Sequence, residues 1–367
     1  MQYNAFKDGI ELSRLGMGCM RFPMLEEEGH PIDEVKAQEI IDYAMANGVN
    51  YYDTAYIYHD GNSERFIGKA LKKYPRESYY VADKFNFQAN PDFKAQFAEQ
   101  LERLQEERID FYLLHAVSDN LFEDYTTCGC IEYFEQMRAE GKIRYLGFSF
   151  HGTPDCLRKM IAHHKFDFVQ IQLNYYDWLF GDAKEQYEIL EAANIPVVVM
   201  EPVRGGRLAA LTEACDAELK AAAPDRSIAS WALRWVMHLP QVKVILSGMS
   251  TKEQIIDNIN TFSGEALNDE EVAKVEEVCK EFKKSISVAC TACRYCCPDC
   301  PMGIEIPKVL AIYNNYKIGG PWQLHALDEL PEGKRPEDCI GCGSCTNHCP
   351  QNIDIPALMA ELAEARK

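Results

Sequence analysis

The chain lacks long hydrophobic runs: none approaches the roughly 18 consecutive apolar residues that a transmembrane helix requires. It is also short of basic residues, with 38 Lys and Arg against 57 Asp and Glu and a net charge of -19. Such a surface repels nucleic acid and anionic membranes, so neither is an expected partner. Charged residues occupy positions where a signal peptide would have its apolar core, and a cytoplasmic location is therefore predicted. These residues are Lys7, Asp8, Glu11 and Arg14.

A glycine-rich phosphate turn is missing after the first predicted strand, which disfavours a doubly wound dinucleotide-binding sheet. Instead, eight short apolar segments alternate with amphipathic segments over the first 280 residues. The predicted strands are 15–18, 49–52, 79–84, 109–115, 143–149, 168–173, 196–200 and 242–247. The predicted helices are 34–47, 63–73, 91–105, 131–140, 153–163, 183–194, 227–237 and 251–262, with Ser63 and Thr251 as caps. Eight strand–helix units in roughly 250 residues indicate an α/β fold, the (β/α)8 TIM barrel.

The composition changes near residue 285, where Cys, Pro and Gly become dense and the strand–helix alternation stops. We therefore expect a barrel domain over residues 1–284 and a small second domain over residues 285–367. A helical pattern over residues 306–316 predicts that the second domain is mainly α-helical.

Nine of the 15 cysteines lie between Cys290 and Cys349. A disulfide framework is not expected in a large chain without a secretion signal, so the dense cluster indicates metal. The two runs are Cys290-Thr-Ala-Cys293-Arg-Tyr-Cys296-Cys-Pro-Asp-Cys300-Pro and Cys339-Ile-Gly-Cys342-Gly-Ser-Cys345-Thr-Asn-His-Cys349-Pro. Both have the C-x₂-C-x₂-C-x₃-C-P spacing of bacterial ferredoxins, in which the fourth cysteine binds the other cluster.

That rule predicts two 4Fe-4S clusters with exchanged fourth ligands. One set is Cys290, Cys293, Cys296 and Cys349, and the other is Cys339, Cys342, Cys345 and Cys300. The alternative is a pair of zinc sites, because paired C-x₂-C motifs also bind zinc. Two complete runs that each end in Cys-Pro favour iron–sulfur clusters, and Cys297 remains as a neighbour of a cluster rather than a ligand.

Three polar residues end consecutive predicted strands: Asp53, Lys84 and His115, with Tyr58 five residues after Asp53. A lysine that follows an apolar strand is costly to bury unless it is paired, and Asp53 on the adjacent strand is its natural partner. Taken singly, each residue could be structural. Because functional residues of a TIM barrel gather at the carboxyl ends of its strands, together they predict an active site.

These residues resemble the aldo-keto reductase family over about residues 10–280. The resemblance rests on Asp53-Thr-Ala-x-x-Tyr58, Ser63-Glu64, Lys84 and Leu113-Leu-His115. It implies a catalytic tetrad of Asp53, Tyr58, Lys84 and His115. Tyr58 would be the general acid, with a phenolate favoured by Lys84, since an ordinary tyrosine with a pKa of about 10 is a weak acid at neutral pH. Residues 285–367 resemble the ferredoxin-like tail of a subset of the family.

The resemblance also implies residues that bind a nicotinamide dinucleotide. Those near the nicotinamide are Ser149, Gln170 and Asn174; those of the pyrophosphate loop are Glu201, Pro202, Gly205, Gly206 and Leu208; those at the adenosine end are Ser247, Gly248, Ser250, Gln254 and Asn258. Many members that use NADP carry an arginine at the position of Gln254, so NADP(H) and NAD(H) both remain open.

Together these features predict a cytoplasmic oxidoreductase that reduces a small-molecule carbonyl, or oxidises an alcohol, and is linked to electron transfer through two 4Fe-4S clusters. Nicotinamide moves two electrons and a cluster moves one, so two accounts stay open: a flavin that links them, or a tail that docks an electron-transfer partner protein. The alternative is an electron-transfer or redox-sensing protein with a secondary or flavin-binding barrel.

Overall fold

The computed structural model describes residues 1–27, 29–284, 287–319 and 321–366. The chain packs as two compact units, one of residues 1–203 and 229–273 and the other of residues 204–228 and 274–367. The domain boundary after residue 284 stays a prediction, and residue 285 lies outside the described residues.

The strands of the described chain are all in the first unit. They are β1 (Tyr3–Ala5), β2 (Glu11–Ser13), β3 (Leu15–Gly18), β4 (Tyr51–Asp53), β5 (Tyr80–Phe85), β6 (Ile109–Val117), β7 (Ile143–Phe150), β8 (Phe168–Gln172), β9 (Val197–Met200) and β10 (Val242–Gly248). Among them, β3 to β10 close into a barrel in the order β10-β3-β4-β5-β6-β7-β8-β9, and every neighbouring pair is parallel. The predicted (β/α)8 barrel is therefore confirmed.

Helices follow the barrel strands and continue through the second unit. They are α1 (Glu34–Ala46), α2 (Asn62–Leu71), α3 (Phe93–Leu104), α4 (Phe122–Thr127), α5 (Cys130–Ala139), α6 (Pro154–His163), α7 (Tyr175–Phe180), α8 (Ala183–Ala192), α9 (Glu213–Ala222), α10 (Ile228–Met237), α11 (Lys252–Ser263), α12 (Asp269–Lys283), α13 (Ile306–Gly319), α14 (Ser344–Asn347) and α15 (Ile355–Ala365). Short 3-10 turns are Lys7–Gly9, Tyr58–Gly61, Arg76–Ser78, Arg204–Gly206, Pro321–Glu329 and Pro336–Asp338. Among the described residues, no helix combines the length and the apolar character needed to cross a membrane.

The barrel strands are rich in apolar and β-branched residues because parallel strands are covered on both faces. Strand β9 reads Val-Val-Val-Met, and its three valines are fully buried. At the amino-terminal end of the barrel, Ile10 and Leu12 of the hairpin formed by β1 and β2 pack with the aromatic rings of Tyr51 and Phe111. The sequence analysis did not predict this hairpin. Since it packs with residues near the starts of the strands, the carboxyl ends are left to the functional residues.

Two predicted helix caps have different outcomes. Thr251 caps α11 through a capping box with Gln254, as predicted. Ser63 was expected to cap α2, and this prediction is wrong, since α2 begins at Asn62 and Gly61 is its N-cap residue. The Ser63 hydroxyl is fully buried and bonds instead to the Thr54 hydroxyl at 2.8 Å, because tertiary contacts outweigh the local capping preference.

The second unit contains a small helical core in which α13 and α15 pack together, as expected for a mainly α-helical iron–sulfur domain. The two helices begin alike. Ile304-Glu-Ile-Pro307 leads into α13 and Ile353-Asp-Ile-Pro356 leads into α15, and the last two residues of each segment are the first two of the helix. Each segment follows a Cys-Pro pair and a residue of positive φ, Gly303 or Asn352. The duplication therefore extends beyond the cysteines that the sequence analysis recognised.

Candidate active site and metal centres

A buried ion pair joins the ends of two adjacent barrel strands. Lys84 of β5 is fully buried, and its Nζ lies 2.6 Å from Oδ1 of Asp53, the last residue of β4. The same ammonium donates to the Thr54 carbonyl oxygen at 2.6 Å. Burial raises the pKa of Asp53 although the charge of Lys84 and its hydrogen bond act to lower it. A buried pair of this kind stays charged only because each member compensates the other.

The two other predicted tetrad members lie beside this pair. The Lys84 Nζ is 5.1 Å from the centre of the Tyr58 ring. The Tyr58 and His115 rings meet edge to face with their centres 5.9 Å apart. Tyr58 is 9% exposed, so its ring is almost enclosed. The structure thus brings together all four residues that the sequence analysis predicted for catalysis.

An irregularity in β6 accompanies His115. The register with β7 shifts between Leu114 and Val117, and Ala116 has a left-handed φ of 55°. A bulge of this kind changes the direction of a side chain and leaves a backbone group unpaired. Here the Ala116 amide donates to the Ser149 hydroxyl at 2.8 Å. Ser149 therefore supports the strand end that carries His115.

The electrostatic surroundings keep the His115 imidazole neutral. Burial lowers the pKa of His115 well below its usual range, and the positive charge of Lys84 lowers it further. The neighbouring His151 also has a lowered pKa, about 4, because of burial. A neutral imidazole has one N–H donor and one acceptor, so His115 can orient a polar group without adding charge.

Behind the ion pair lies a set of buried polar residues that the sequence analysis missed. Glu64 and Gln100 are fully buried, and the Gln100 amide donates to the Glu64 carboxylate and to the Lys84 carbonyl, both at 3.0 Å. Arg103 pairs with Glu64 at 2.7 Å. These contacts fix the backbone of β5 at Lys84. In the sequence, the Ser63-Glu64 pair was the feature that pointed to these residues, and it was recognised only as part of the family resemblance.

The residues expected near a nicotinamide have different surroundings. Gln170 is 2% exposed, and its Oε1 is a buried acceptor without a hydrogen-bond partner. Such an orphaned acceptor fits the amide N–H of a bound nicotinamide. Asn174 is the N-cap residue of α7 and also donates to the Glu201 carbonyl oxygen at 3.1 Å. Pro202, the residue that follows Glu201, is buried.

The residues expected at the adenosine end lie at the end of β10 and the start of α11. Asn258 donates to the Ser247 hydroxyl at 2.9 Å. The Ser250 amide donates to Oε1 of Gln254 at 2.7 Å. Gly248 is the last residue of β10. The side chains therefore organise this loop around the N-terminus of a 12-residue helix, a place that favours negative charge.

The second unit begins with the other part of the predicted pyrophosphate loop, and this part lies against the first cysteine run. Arg204 is 2% exposed, and its Nη2 donates to the Ala289 carbonyl at 3.1 Å. Gly205 has a φ of 62°, and a Cβ added to it would lie 1.6 Å from the Thr291 carbonyl oxygen. Gly206 also has a positive φ, 96°, and a Cβ there would meet nothing within 4 Å. The close approach of the Thr291 carbonyl oxygen therefore requires a glycine at position 205 but not at position 206. Leu208, two residues after Gly206, is fully buried.

This difference provides a test. Gly205→Ala should destabilise the second unit by about 1–3 kcal/mol more than Gly206→Ala, because both changes strain a left-handed residue but only the first overpacks a backbone contact. Chemical denaturation under anaerobic conditions, followed by visible absorption and by helical circular dichroism, would measure the difference. Equal free energies of unfolding for the two variants would contradict the close approach of Gly205 to Thr291.

The eight predicted cluster cysteines surround two cavities within the second unit. One cavity is lined by Cys290, Cys293, Cys296 and Cys349. The other is lined by Cys300, Cys339, Cys342 and Cys345. The structure therefore groups the cysteines in the two sets that the exchanged fourth ligand predicts. Their role as ligands stays a prediction.

The backbone of the two runs has the same unusual conformation. The residues on either side of the second cysteine have positive φ in both runs: 54° at Ala292 and 71° at Arg294, and 68° at Gly341 and 76° at Gly343. Non-glycine residues adopt this conformation at a cost, so it persists where the surroundings require it. Turns of this type direct successive N–H groups to one side, which suits an anionic group. The Ala292 amide already donates to Cys290 Sγ at 3.4 Å.

A single zinc ion at either cysteine set would place a strict demand on the sulfur positions. Four sulfurs at about 2.3 Å from one zinc ion would lie within about 4 Å of each other. In the part of the chain that the structure describes, no group of three or more His, Cys, Asp or Glu side chains is placed to hold one metal ion. Each cavity is lined by four thiols, the number of protein ligands that a 4Fe-4S cluster takes.

The fold and the grouped side chains define an oxidoreductase built on a (β/α)8 barrel. The model of the aldo/keto reductase family matches residues 14–280. The chain therefore belongs to the aldo/keto reductase family, in which dependence on NAD(P)H is typical. A second model, the 4Fe-4S dicluster domain, matches residues 289–353. The protein is thus an aldo-keto reductase with a domain that implies 4Fe-4S clusters.

Individual relatives cover one half to three quarters of this chain. The uncharacterized oxidoreductase YqkF of Bacillus subtilis (strain 168) is 26% identical over 308 residues, which cover 74% of this chain and 94% of that protein. The probable aldo-keto reductase 1 of Glycine max is 30% identical over 209 residues, 54% of this chain and 58% of that protein. Among solved structures, the aldo-keto reductase AKR11C1 from Bacillus halodurans (holo form) has a TM-score of 0.63 and 26% identity, and the match covers 76% of this chain and 96% of that one.

Proposed function

We propose that this protein reduces the carbonyl group of a small molecule with NAD(P)H, or oxidises an alcohol in the reverse direction, with Tyr58 as general acid and base. The observation that carries the proposal is the buried ion pair of Lys84 and Asp53, 2.6 Å apart, with the Lys84 ammonium 5.1 Å from the Tyr58 ring. A fixed cation beside a nearly enclosed phenol is what proton transfer to an alkoxide needs.

When bound, NAD(P)H supplies the hydride that goes to the carbonyl carbon. Tyr58 donates its phenolic proton to the carbonyl oxygen, which has become an alkoxide. The positive charge of Lys84 stabilises the phenolate that remains, and Asp53 holds that ammonium in place by its hydrogen bond. The neutral His115 donates a hydrogen bond to the carbonyl oxygen and so orients the substrate. In the reverse direction, the Tyr58 phenolate takes the proton from the alcohol.

Several residues support binding of the dinucleotide. The orphaned Oε1 of Gln170 would accept from the nicotinamide amide, with Ser149 opposite it on β7 and Asn174 at the start of α7. The N-terminus of α11 would receive negative charge from the adenosine end. The side chain of Gln254 caps this helix and carries no positive charge for a 2′-phosphate, so both NADPH and NADH belong in the test.

The same proposal gives the two cysteine sets the role of ligands for two 4Fe-4S clusters that exchange electrons with the barrel or with a partner protein. A cluster accepts one electron and a hydride carries two, so a flavin is the proposed intermediary. The proposed location is the cytoplasm, where thiols stay reduced and can act as cluster ligands.

The first experiment is anaerobic purification, followed by addition of NADPH and then NADH while the visible iron–sulfur absorption is recorded. The proposal expects about eight iron atoms per chain, four for each cluster, and bleaching by one of the two cofactors. Acid release and fluorescence would then identify a bound flavin. Consumption of NADPH or NADH with a panel of aldehydes and ketones tests carbonyl reduction separately.

The outcomes distinguish the parts of the proposal. Full iron content without bleaching, while the dinucleotide still binds, would refute electron transfer between nicotinamide and clusters and would favour docking or redox sensing by the second unit. Loss of all carbonyl reduction with intact bleaching would instead favour the electron-transfer alternative, with the barrel as a secondary module.

A further inference from the structure

Asn86 is a buried residue that directly follows β5 and contacts the active-site histidine. Its Nδ2 lies 3.3 Å from Nδ1 of His115, and the residue is 8% exposed. It takes no part in the tetrad. Since it is two residues after Lys84, it lies at the same strand end as the catalytic lysine.

The backbone of Asn86 is held by one side chain. Gln96 of α3 is fully buried; its Oε1 accepts from the Asn86 amide at 2.7 Å, and its Nε2 donates to the Asn86 carbonyl at 3.0 Å. With both backbone groups bonded to the same partner, the position of Asn86 relative to α3 is fixed.

The orientation of the Asn86 side chain is also determined. Its Oδ1 lies 2.9 Å from the Ala89 backbone amide. A backbone N–H can only donate, so the atom that faces Ala89 must be the amide oxygen. The other end, the NH₂ group, therefore faces His115.

This orientation decides the protonation of the His115 ring. An NH₂ group can only donate, so Nδ1 of His115 must accept and carries no proton. A neutral imidazole then has its proton on Nε2. The surroundings also keep the ring from gaining a second proton. Burial lowers the pKa of His115, and the neighbouring Lys84 and His151 lower it further. The Tyr58 ring, 5.9 Å away, completes these surroundings.

We propose that Asn86 is a positioning residue that holds His115 as the Nε2–H tautomer, so that the ring offers a hydrogen-bond donor to the substrate carbonyl. The inference rests on the proposed function for its catalytic consequence, whereas the tautomer itself follows from the contacts of Asn86.

The test uses Asn86→Asp, which preserves shape and keeps an oxygen for the Ala89 amide. The new carboxylate oxygen beside Nδ1 requires a donor, so the proton moves to Nδ1 and Nε2 becomes an acceptor. At pH 8 the loss of one donor to the developing alkoxide should lower kcat for carbonyl reduction by about 10²-fold or more, while the dissociation constant of NAD(P)H stays unchanged.

The variant should also gain a characteristic pH dependence. The carboxylate favours the doubly protonated ring and so raises the pKa of His115 relative to that of the parent protein. As the pH falls below the new value, Nε2 regains its proton and kcat should recover. The parent protein should show no such rise, and a general structural defect would not produce one. The matched control is Asn90→Asp, which adds the same charge in the same loop, where the Asn90 Oδ1 accepts from the Asp92 amide at 3.0 Å.

Nitrogen-15 NMR of histidine-labelled protein, with the His115 signals assigned from a His115→Gln sample, measures the tautomer without any assay. The Nε2–H form in the parent protein and the Nδ1–H form in Asn86→Asp would support the proposal. An Nδ1–H ring in the parent protein, or an Asn86→Asp variant with the parent kcat at every pH, would overturn it. A parent protein that reduces no carbonyl would refute the proposed function and leave the tautomer measurement valid.

Discussion

Replacement of Tyr58 by phenylalanine should lower kcat/KM for carbonyl reduction by about 10²–10⁴-fold, the contribution typical of a positioned general acid. The ring remains, so its edge-to-face contact with His115 and its position near Lys84 are retained. Only the proton donor is lost. Binding of NAD(P)H, measured by fluorescence or calorimetry, should therefore be nearly unchanged.

The matched control is Tyr56→Phe in the same loop. The Tyr56 hydroxyl donates to Glu99 at 2.8 Å and so makes a comparable hydrogen bond without a place in the tetrad. This variant should keep kcat/KM within a few-fold of the parent value. Equal losses in the two variants would mean that the loop, rather than the Tyr58 proton, supports the activity.

Replacement of Lys84 by methionine should have the second large effect, on stability as well as activity. Lys84 is fully buried and its carboxylate partner Asp53 is 2% exposed, so removal of the cation leaves a buried charge uncompensated. Loss of one member of such a pair typically costs about 3–5 kcal/mol. Burial already raises the pKa of Asp53, and without Lys84 that carboxyl should become protonated more readily. Urea denaturation at pH 7 measures the loss in the free energy of unfolding.

The double variant, Asp53→Asn with Lys84→Met, separates the two roles of the pair. Removal of both charges should restore most of the stability, because no uncompensated ion remains in the barrel. Carbonyl reduction should stay low, since no cation stabilises the Tyr58 phenolate. Recovery of activity together with stability would show that the pair is only structural.

Much of the fold could be predicted because the relevant signals are local. The eight barrel strands were found within a few residues of their observed ends, since parallel strands covered on both faces are short, apolar and β-branched. The hairpin of β1 and β2 was missed. Its strands have only three residues each, too few to show a period, and Ile10 and Leu12 are buried only because the barrel exists.

The residues of the candidate sites also differ in whether local sequence patterns could reveal them. The cysteine sets were recognisable because three members of each set lie within seven residues, so that the spacing alone describes the site. The tetrad residues were found because they lie at or shortly after the ends of consecutive predicted strands, and the family resemblance then gave each of them a role. Asn86 was not found, because an asparagine at a strand end has no distinctive pattern and its meaning depends on His115, a residue 29 positions away in the sequence.

The sequence by itself determined the class of fold, the two cysteine sets and the residues from which an active site could be built. These follow from patterns of neighbouring residues: burial on both faces of a strand, thiols at fixed spacing, polar residues at strand ends. Only the tertiary structure decided which groups meet. The 2.6 Å pair of Lys84 and Asp53, the bulge that carries His115 and the approach of Gly205 to Thr291 all depend on contacts between distant segments, which closure of the barrel and packing of the helices bring together.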